Sequence, residues 1–323
     1  MELRDATQRK ITYLRMSVTD RCNLRCAYCI PAGGVKLISH DQLLRLEELY
    51  DVASRFVRLF GINKIRLTGG EPLVRRNIEW LIDNLSGLHG VDDLAMTTNG
   101  TLLLEKAGVL HYAGLKRINV SIDSLKHEKY HEITRGGNLD RVLAGLDIAR
   151  KIGFNPIKIN VVLYPGFDEE TEFIEWANKE SYLVRFIEMM PGAYGVLNDK
   201  SKTSPKMLDL LDGLHNKFGE IIQIDETEKH LGKNSLRFEI PDKNWIFEII
   251  PAVSSHFCDV CNRLRLNSQG HLRFCLFSNE TLDIRPLLEK SDDEFAREII
   301  NFVQRKSDKR LDHIASFMSS IGG

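Results

Sequence analysis

Between residues 13 and 190, short runs of branched apolar residues alternate with longer stretches whose apolar positions recur at helical spacing. The short runs are Tyr13–Val18, Lys64–Thr68, Leu94–Thr98, Arg117–Ile122, Ile157–Leu163 and Val184–Glu188, all of strand length. By contrast, Asp41–Leu59 carries Leu43, Leu44, Leu46, Leu49, Val52, Ala53 and Phe56 in an i, i+3, i+4 pattern that predicts an amphipathic helix. Strands alternating with helices in this way pair in parallel, through right-handed crossovers. Six such units are two short of a closed (β/α)8 barrel. The expected fold class is therefore α/β, with a partial, open (β/α)6 TIM-like barrel.

The rhythm breaks after Pro191. Pro191-Gly192-Ala193-Tyr194-Gly195 and the polar Asn198–Lys206 read as a loop. A helix over Pro205–Phe218 follows, then extended pieces at Ile221–Ile224, Leu236–Ile240 and Trp245–Ile250, and finally a helical tail. Two parts are expected: the partial barrel over residues 1–200 and a smaller C-terminal α+β domain over 201–323. Polar turns end three strands of the first part: Thr68-Gly69-Gly70-Glu71-Pro72, Thr97-Thr98-Asn99-Gly100 and Ser121-Ile122-Asp123-Ser124. Each alone reads as a strand-to-helix turn. Together they crowd the C-terminal end of the strands, where barrels build their active sites.

Composition sets limits. At 323 residues, 43% hydrophobic and 28% charged, the chain can bury a large core. With 44 basic against 45 acidic residues it is no general nucleic-acid binder, whose domain would be basic overall. No run approaches the eighteen apolar residues of a membrane span. The opening Met-Glu-Leu-Arg-Asp is too polar for a secretory leader. The expected location is cytoplasmic, a reducing compartment in which clustered cysteines favour metal binding over disulfides.

All six cysteines fall into two triads. Cys22, Cys26 and Cys29 form a C-x3-C-x2-C loop after the first strand; Cys258 and Cys261 form a C-x2-C pair, joined by Cys275 after thirteen intervening residues. Three thiolates can bind three irons of a cubane [4Fe–4S] cluster and leave the fourth iron open to a small molecule, which points to reaction chemistry. A structural zinc site at the first triad would want a fourth ligand, and the closest downstream histidine is His40. At the second triad a Cys3His zinc site, with His256 or His271, stays open on spacing alone. Charge concentrates at the same places. Arg66, Arg75 and Arg76 bracket the Gly-Gly-Glu turn, and Arg263, Arg265 and Arg273 lie within the second triad. Arg263 and Arg265 would share one face of an extended segment, suited to a polyphosphate; an isolated pair would read as a solvated strand face.

The first triad, with Gly69-Gly70-Glu71-Pro72, resembles the radical S-adenosylmethionine (SAM) superfamily. Both triads together resemble one of its families, the GTP 3′,8-cyclases of molybdenum cofactor biosynthesis. The diagnostic stretch is Phe257-Cys-Asp-Val-Cys-Asn-Arg-Leu-Arg-Leu266, leading to Cys275-Leu-Phe277, and the likeness runs from Arg15 to Ile321-Gly322-Gly323.

The resemblance implies two [4Fe–4S] clusters and SAM. Cys22, Cys26 and Cys29 would hold the SAM-binding cluster, and Cys258, Cys261 and Cys275 a second cluster whose open iron binds guanine. Tyr28, Gly70, Ser121 and Met190 would line SAM, the glycine because bare backbone can approach a ligand closely. GTP would meet Arg15, Arg66, Thr97, Lys158 and Arg263-Leu264-Arg265, with Arg185 a further pocket candidate; Arg265 would count with the first three cysteines as catalytic. A 5′-deoxyadenosyl radical would take the C3′ hydrogen of the ribose, and the C3′ radical would add to guanine C8. The product would be (8S)-3′,8-cyclo-7,8-dihydro-GTP.

Implied partners are GTP, an external one-electron reductant of flavodoxin or ferredoxin type, and the downstream cyclic pyranopterin monophosphate synthase. The implied assembly is a monomer or homodimer, without nucleic acid or membrane. Gly322-Gly323, alone a flexible tail, would reach into the pocket. The segments Pro191–Lys200 and Asp225–Ser235 match no family pattern, and Asn267-Ser268-Gln269 replaces an acidic turn.

Three other classes compete. A different radical SAM enzyme with an auxiliary cluster, such as a peptide-modifying one, would usually carry more C-terminal cysteines. An electron carrier would want four protein ligands per cluster. The third is a zinc-stabilised binding module.

Overall fold

Parallel strands need long crossovers, usually helical, and each link in the first part of the chain contains a helix. The computed structural model describes residues 1–31, 33–190, 204–224, 234–255 and 257–306. The alternating series runs β1 Tyr13–Ser17, α1 Leu46–Phe60, β2 Lys64–Thr68, α2 Ile78–Ser86, β3 Asp93–Thr98, α3 Leu103–Tyr112 and β4 Arg117–Ser121. It continues with α4 His127–Thr134, α5 Leu139–Ile152, β5 Ile157–Leu163, α6 Glu170–Lys179 and β6 Leu183–Glu188. These six strands pair in chain order, all in parallel. The expected strand runs match to within one residue at either end. The helix expected over Asp41–Leu59 starts later: His40–Gln42 is a separate 3-10 turn, and the Glu48 carboxylate accepts the Arg45 N–H at 2.7 Å, fixing the start of α1. Gly61, at φ 67°, ends it.

The rest of the chain adds to the same sheet. It comprises α7 Met207–Phe218, β7 Ile222–Gln223, β8 Leu236–Ile240, β9 Trp245–Ile250, β10 Arg263–Leu266, β11 His271–Arg273, β12 Thr281–Asp283, α8 Arg285–Leu288 and α9 Asp292–Val303. Strand order is β12-β11-β10-β1-β2-β3-β4-β5-β6-β9-β8-β7. Thus β9 pairs in parallel with β6 and β10 in parallel with β1, so both edges of the six-stranded series are extended by later strands. The sheet stays open, as expected, and strands from both sides of residue 200 share it.

Side chains alternate between the faces of a strand. Leu14, Met16, Ile65, Leu67, Met96, Ile118, Val120, Ile159, Val161, Val184 and Phe186 join Leu49, Val52 and Phe56 of α1 in one buried core. Each large side chain so buried contributes about 1.5–3 kcal/mol. The intervening positions form a polar face. Glu188, at the end of β6, ties the two parts together: it accepts Met207 N at 2.8 Å and Val253 N and Ser254 N at 2.7 Å each. Burial pushes the Glu188 carboxyl up, but these bonds, led by those from Ser254, outweigh it and hold it below its ordinary value. Among the described residues no helix is long and apolar enough to cross a membrane.

Candidate active site

Register builds a row of arginines on the polar face. Arg15 of β1 stands opposite Arg265 of β10 on one side and Arg66 of β2 on the other; the row continues through Ala95 to Arg117. Beneath it, the Tyr13 ring lies 5.9 Å from the Arg66 guanidinium and 5.3 Å from that of Arg263. Burial pushes the tyrosine up, but Arg66, Arg15 and Arg263 together bring it down to about 8. Burial and then Arg265 push the Arg15 guanidinium well down. The Arg66 Nε and Arg265 terminal nitrogen are buried and lack a hydrogen-bond partner among the described residues. Buried like charges with spare donors are costly on their own and suit a polyanion.

Further along the face, Asn119 donates to Thr97 at 3.2 Å and Arg117 pairs with Asp93 at 3.2 Å. Lys158 and Arg185 meet Glu248 of β9 at 2.7 and 2.8 Å. The two cations together hold the Glu248 carboxyl at about 2 against the upward push of burial.

The first triad sits on the loop after β1, held by the turn after β2. Gly70 N donates to Thr19 O and Glu71 N to Arg21 O, both at 2.8 Å. A Cβ on Gly70 would stand 2.3 Å from the Arg21 carbonyl oxygen. The close approach that requires glycine is thus to the chain's own cysteine loop, where a ligand was expected. The Glu71 carboxylate accepts Thr98 Oγ1 at 2.7 Å, Asn99 N at 2.6 Å and Leu73 N at 3.0 Å, and burial still pushes it up to about 7. Asn99 so placed donates to Asn23 at 2.9 Å and reaches Cys22 Sγ at 3.9 Å. Leu24 N donates to the same sulfur at 3.4 Å.

Tyr28 donates to Asp123 at 2.7 Å, and Asp123, pushed up to about 6 by burial, also accepts Val162 N. Burial likewise raises Cys22 to about 11 and Cys29 to about 12. A cation placed on the sulfurs would oppose that push and favour the thiolates.

The second triad gathers where β10 begins and the antiparallel β11 ends. Cys261 N donates to Cys258 O at 3.3 Å, and Phe277 N to Cys275 Sγ at 3.3 Å. The Arg9 guanidinium, paired to Asp5 at 2.7 Å, donates to the Cys258 carbonyl. Lys306, 3% exposed, donates to Phe274 O at 3.1 Å with its nitrogen 3.9 Å from Cys261 Sγ. Burial pushes Cys261 up, but Lys306 and Arg263 outweigh it and lower it.

None of the six cysteines is in a disulfide, and all are half-buried. Among the described residues no three His, Cys, Asp or Glu side chains converge as they would on a single ion. Each triad offers three half-buried thiols, with a backbone N–H aimed at a sulfur, a donor set that three irons of a cubane can use. Because β10 runs parallel to β1, Cys261 lies at the starting end of these strands and the first triad at their finishing end. The five residues of β1 span about 16 Å between them.

The structure therefore gathers Arg15, Arg66, Arg263, Arg265, Thr97 and Lys158 on one face. Tyr28, Gly70, Ser121 and Met190 stand at the finishing ends of β1, β2, β4 and β6. Leu264 departs from expectation: strand parity turns its side chain into the core opposite Leu14, leaving only backbone toward the polar face. His271 is engaged with Asn267 at 3.4 Å. Asn267 Oδ1 accepts Gln269 N and His271 N, so a carboxamide closes the turn where an acidic residue was expected. Gly322-Gly323, His256, segment 191–200 and residues 225–233 lie outside the described residues.

Sequence reasoning missed Tyr13, Arg117, Glu248 and Lys306. A lone glutamate in the apolar run Trp245–Ile250 was the one signal available for Glu248.

Comparison with known proteins adds to this geometry. Residues 16–177 match the family described as Radical SAM superfamily, and residues 182–311 that described as Molybdenum Cofactor Synthesis C. The chain is 39% identical over 332 residues to GTP 3′,8-cyclase of Alkaliphilus metalliredigens, covering 99% of this chain and 100% of that protein. It is 41% identical over 333 residues to GTP 3′,8-cyclase of Geobacter sulfurreducens, covering 100% of both.

Among solved structures, Streptococcus suis SuiB bound to S-adenosylmethionine superposes at a TM-score of 0.62 and 12% identity, over 91% of this chain and 66% of that one. Native anSMEcpe with bound AdoMet and a peptide gives 0.56 at 16% identity, over 91% and 83%. At such identities these structures speak for the fold alone, the radical SAM α/β sheet.

Proposed function

The chain belongs to the GTP 3′,8-cyclase family of the radical SAM superfamily, and from that membership we propose that it converts GTP to (8S)-3′,8-cyclo-7,8-dihydro-GTP on the face described above. This is the first step of molybdenum cofactor biosynthesis. The observation that carries the reading is the placement of the two cysteine triads at opposite ends of β1 and β10, with Arg15, Arg66 and Arg265 in register between them.

Cys22, Cys26 and Cys29 would hold one [4Fe–4S] cluster and Cys258, Cys261 and Cys275 the other. When bound, these clusters and SAM would supply the one-electron chemistry that removes the ribose C3′ hydrogen, and the second cluster, held by Cys258, Cys261 and Cys275, would supply a Lewis-acidic contact for guanine. Everything else falls to side chains. Arg15, Arg66 and Arg265 would bind phosphate oxygens through forked donors, and Lys158 would add a compact charge. Thr97, held by Asn119, would offer its hydroxyl toward the nucleotide. Tyr28, oriented by Asp123, would lie against SAM with Gly70, Ser121 and Met190. Fixing the ribose between the two cluster sites is a positioning task, and filling the face with substrate excludes water. The reductant would be an external flavodoxin or ferredoxin, and the product would pass to the cyclic pyranopterin monophosphate synthase.

Anaerobic reconstitution tests this directly. The protein should hold about eight irons per chain. With SAM, GTP and dithionite it should yield 5′-deoxyadenosine and a nucleotide isomeric with GTP by mass. Deoxyadenosine without any such isomer would sink the assignment of the substrate.

A further inference from the structure

Beyond the arginine row, the polar face holds a second cation group that is already paired. Glu248, 6% exposed, accepts Lys158 Nζ on one oxygen at 2.7 Å and Arg185 Nε on the other at 2.8 Å. Ser235 Oγ adds to the latter oxygen at 3.1 Å. Register dictates the grouping: Arg185 of β6 stands directly opposite Glu248 of β9, and Arg237 of β8 opposes it from the other side. We infer that Glu248 is a positioning residue whose carboxylate holds Lys158 and Arg185 side by side as one receptor for the substrate's phosphate chain. The inference rests on the GTP site proposed above and adds a residue which that site does not include.

The geometry separates a positioning role from a competing one. A carboxylate that competed with phosphate would cover the donors phosphate needs. Glu248 takes the Nε of Arg185, not its terminal fork, and one of the three ammonium hydrogens of Lys158. It also solves a charge problem. Burial and then Arg185 push the Lys158 ammonium down to about 8, with Arg117 adding to the effect, while Glu248 works against all three. The charged groups around the lysine are thus Arg117 from β4, Arg185 from β6 and Glu248 from β9, with Arg237 behind Glu248 and Asp93 engaged by Arg117. Without the carboxylate, Lys158 would shed its proton nearer neutral pH, and half of the receptor would go.

Equilibrium dialysis of GTP against the anaerobically reconstituted protein reads binding without turnover. In Glu248→Gln, the pH above which GTP affinity falls is expected to drop by about one unit. Binding should then be about threefold weaker than wild type at pH 7.5, approach about tenfold weaker by pH 9, and match wild type at pH 6. Glu248→Asp, which keeps the charge, should restore most of the loss. A Glu248→Gln protein of unchanged iron content that binds GTP as tightly as wild type at pH 7.5, or more tightly, overturns the inference. Lys158→Met separates the two levels. If it leaves GTP affinity unchanged, the substrate site lies elsewhere and both readings fall; if it alone weakens binding, only the role of Glu248 fails.

Discussion

Gly70 shows how narrow a single position can be. A Cβ there would lie 2.3 Å from the Arg21 carbonyl oxygen and 2.6 Å from its carbon, both rigid backbone atoms. Something must shift, and the loop carrying Cys22 is what lies against it. Gly70→Ala is therefore expected to lower the stability of the metal-free protein by about 1–3 kcal/mol. It should also cut reconstituted iron from about eight to about four atoms per chain, because only the first cluster loses its frame. Iron analysis with a thermal melt checks both; full iron and an unmoved melting point would mean the loop can yield. The glycine itself was legible in the Gly-Gly-Glu-Pro motif, but its physical reason was not, since the partner backbone lies some fifty residues upstream. Cysteines and arginines were legible because their spacing is local. Glu248 was not: its partner Lys158 is 90 residues away, and only strand register brings them together.

At the scale of elements, the carboxylate of Glu188 links three of them. It caps the start of α7 through Met207 N and gathers Val253 N and Ser254 N from the loop after β9 onto the end of β6. Removing it leaves several buried donors without an acceptor, each costing about 1–3 kcal/mol before water re-enters. Glu188→Ala should thus destabilise by about 3 kcal/mol at pH 7, measured by denaturant unfolding of the metal-free protein. The sign of the pH effect follows from the lowered carboxyl. Its contribution is full above the ordinary glutamate value of 4.5 and is lost as pH falls through the lower, folded-state value. The gap between wild type and variant should accordingly narrow in acid; a gap that widens would contradict an ionised staple. None of the three partners of Glu188 could be foreseen from periodicity, which reports faces and not hydrogen bonds between distant segments. What periodicity did capture, six strands to within a residue, is the part set by local side-chain alternation. It missed the start of α1 because Leu43 and Leu44 fit a helical stripe, yet the backbone there turns before the Arg45–Glu48 cap.

For the whole molecule, the break in strand–helix rhythm after Pro191 suggested two parts, yet hydrogen bonding runs through both. The six-stranded series ends on β1 and β6, and each of these edges is closed by a strand from the later part of the chain. A polypeptide stopped at residue 200 would expose both edges, with unpaired N–H and C=O groups ready to join other chains. It would also lose the Arg265 that stands beside Arg15 and the Glu248 that offsets Lys158 and Arg185, leaving a cation cluster without its anion. Such a fragment should aggregate or remain partly unfolded. The intact metal-free chain should unfold in one cooperative step. Three tryptophans make the test specific: Trp80 on α2 and Trp176 on α6 report on the first part, and Trp245 at the start of β9 on the second. Single-tryptophan variants keeping one reporter each should give coincident fluorescence and circular-dichroism transitions in urea. If Trp245 reports a separate midpoint, or if residues 1–200 fold alone with a sharp transition, the later strands are an attachment, and the arginine row is assembled only when two independent bodies dock.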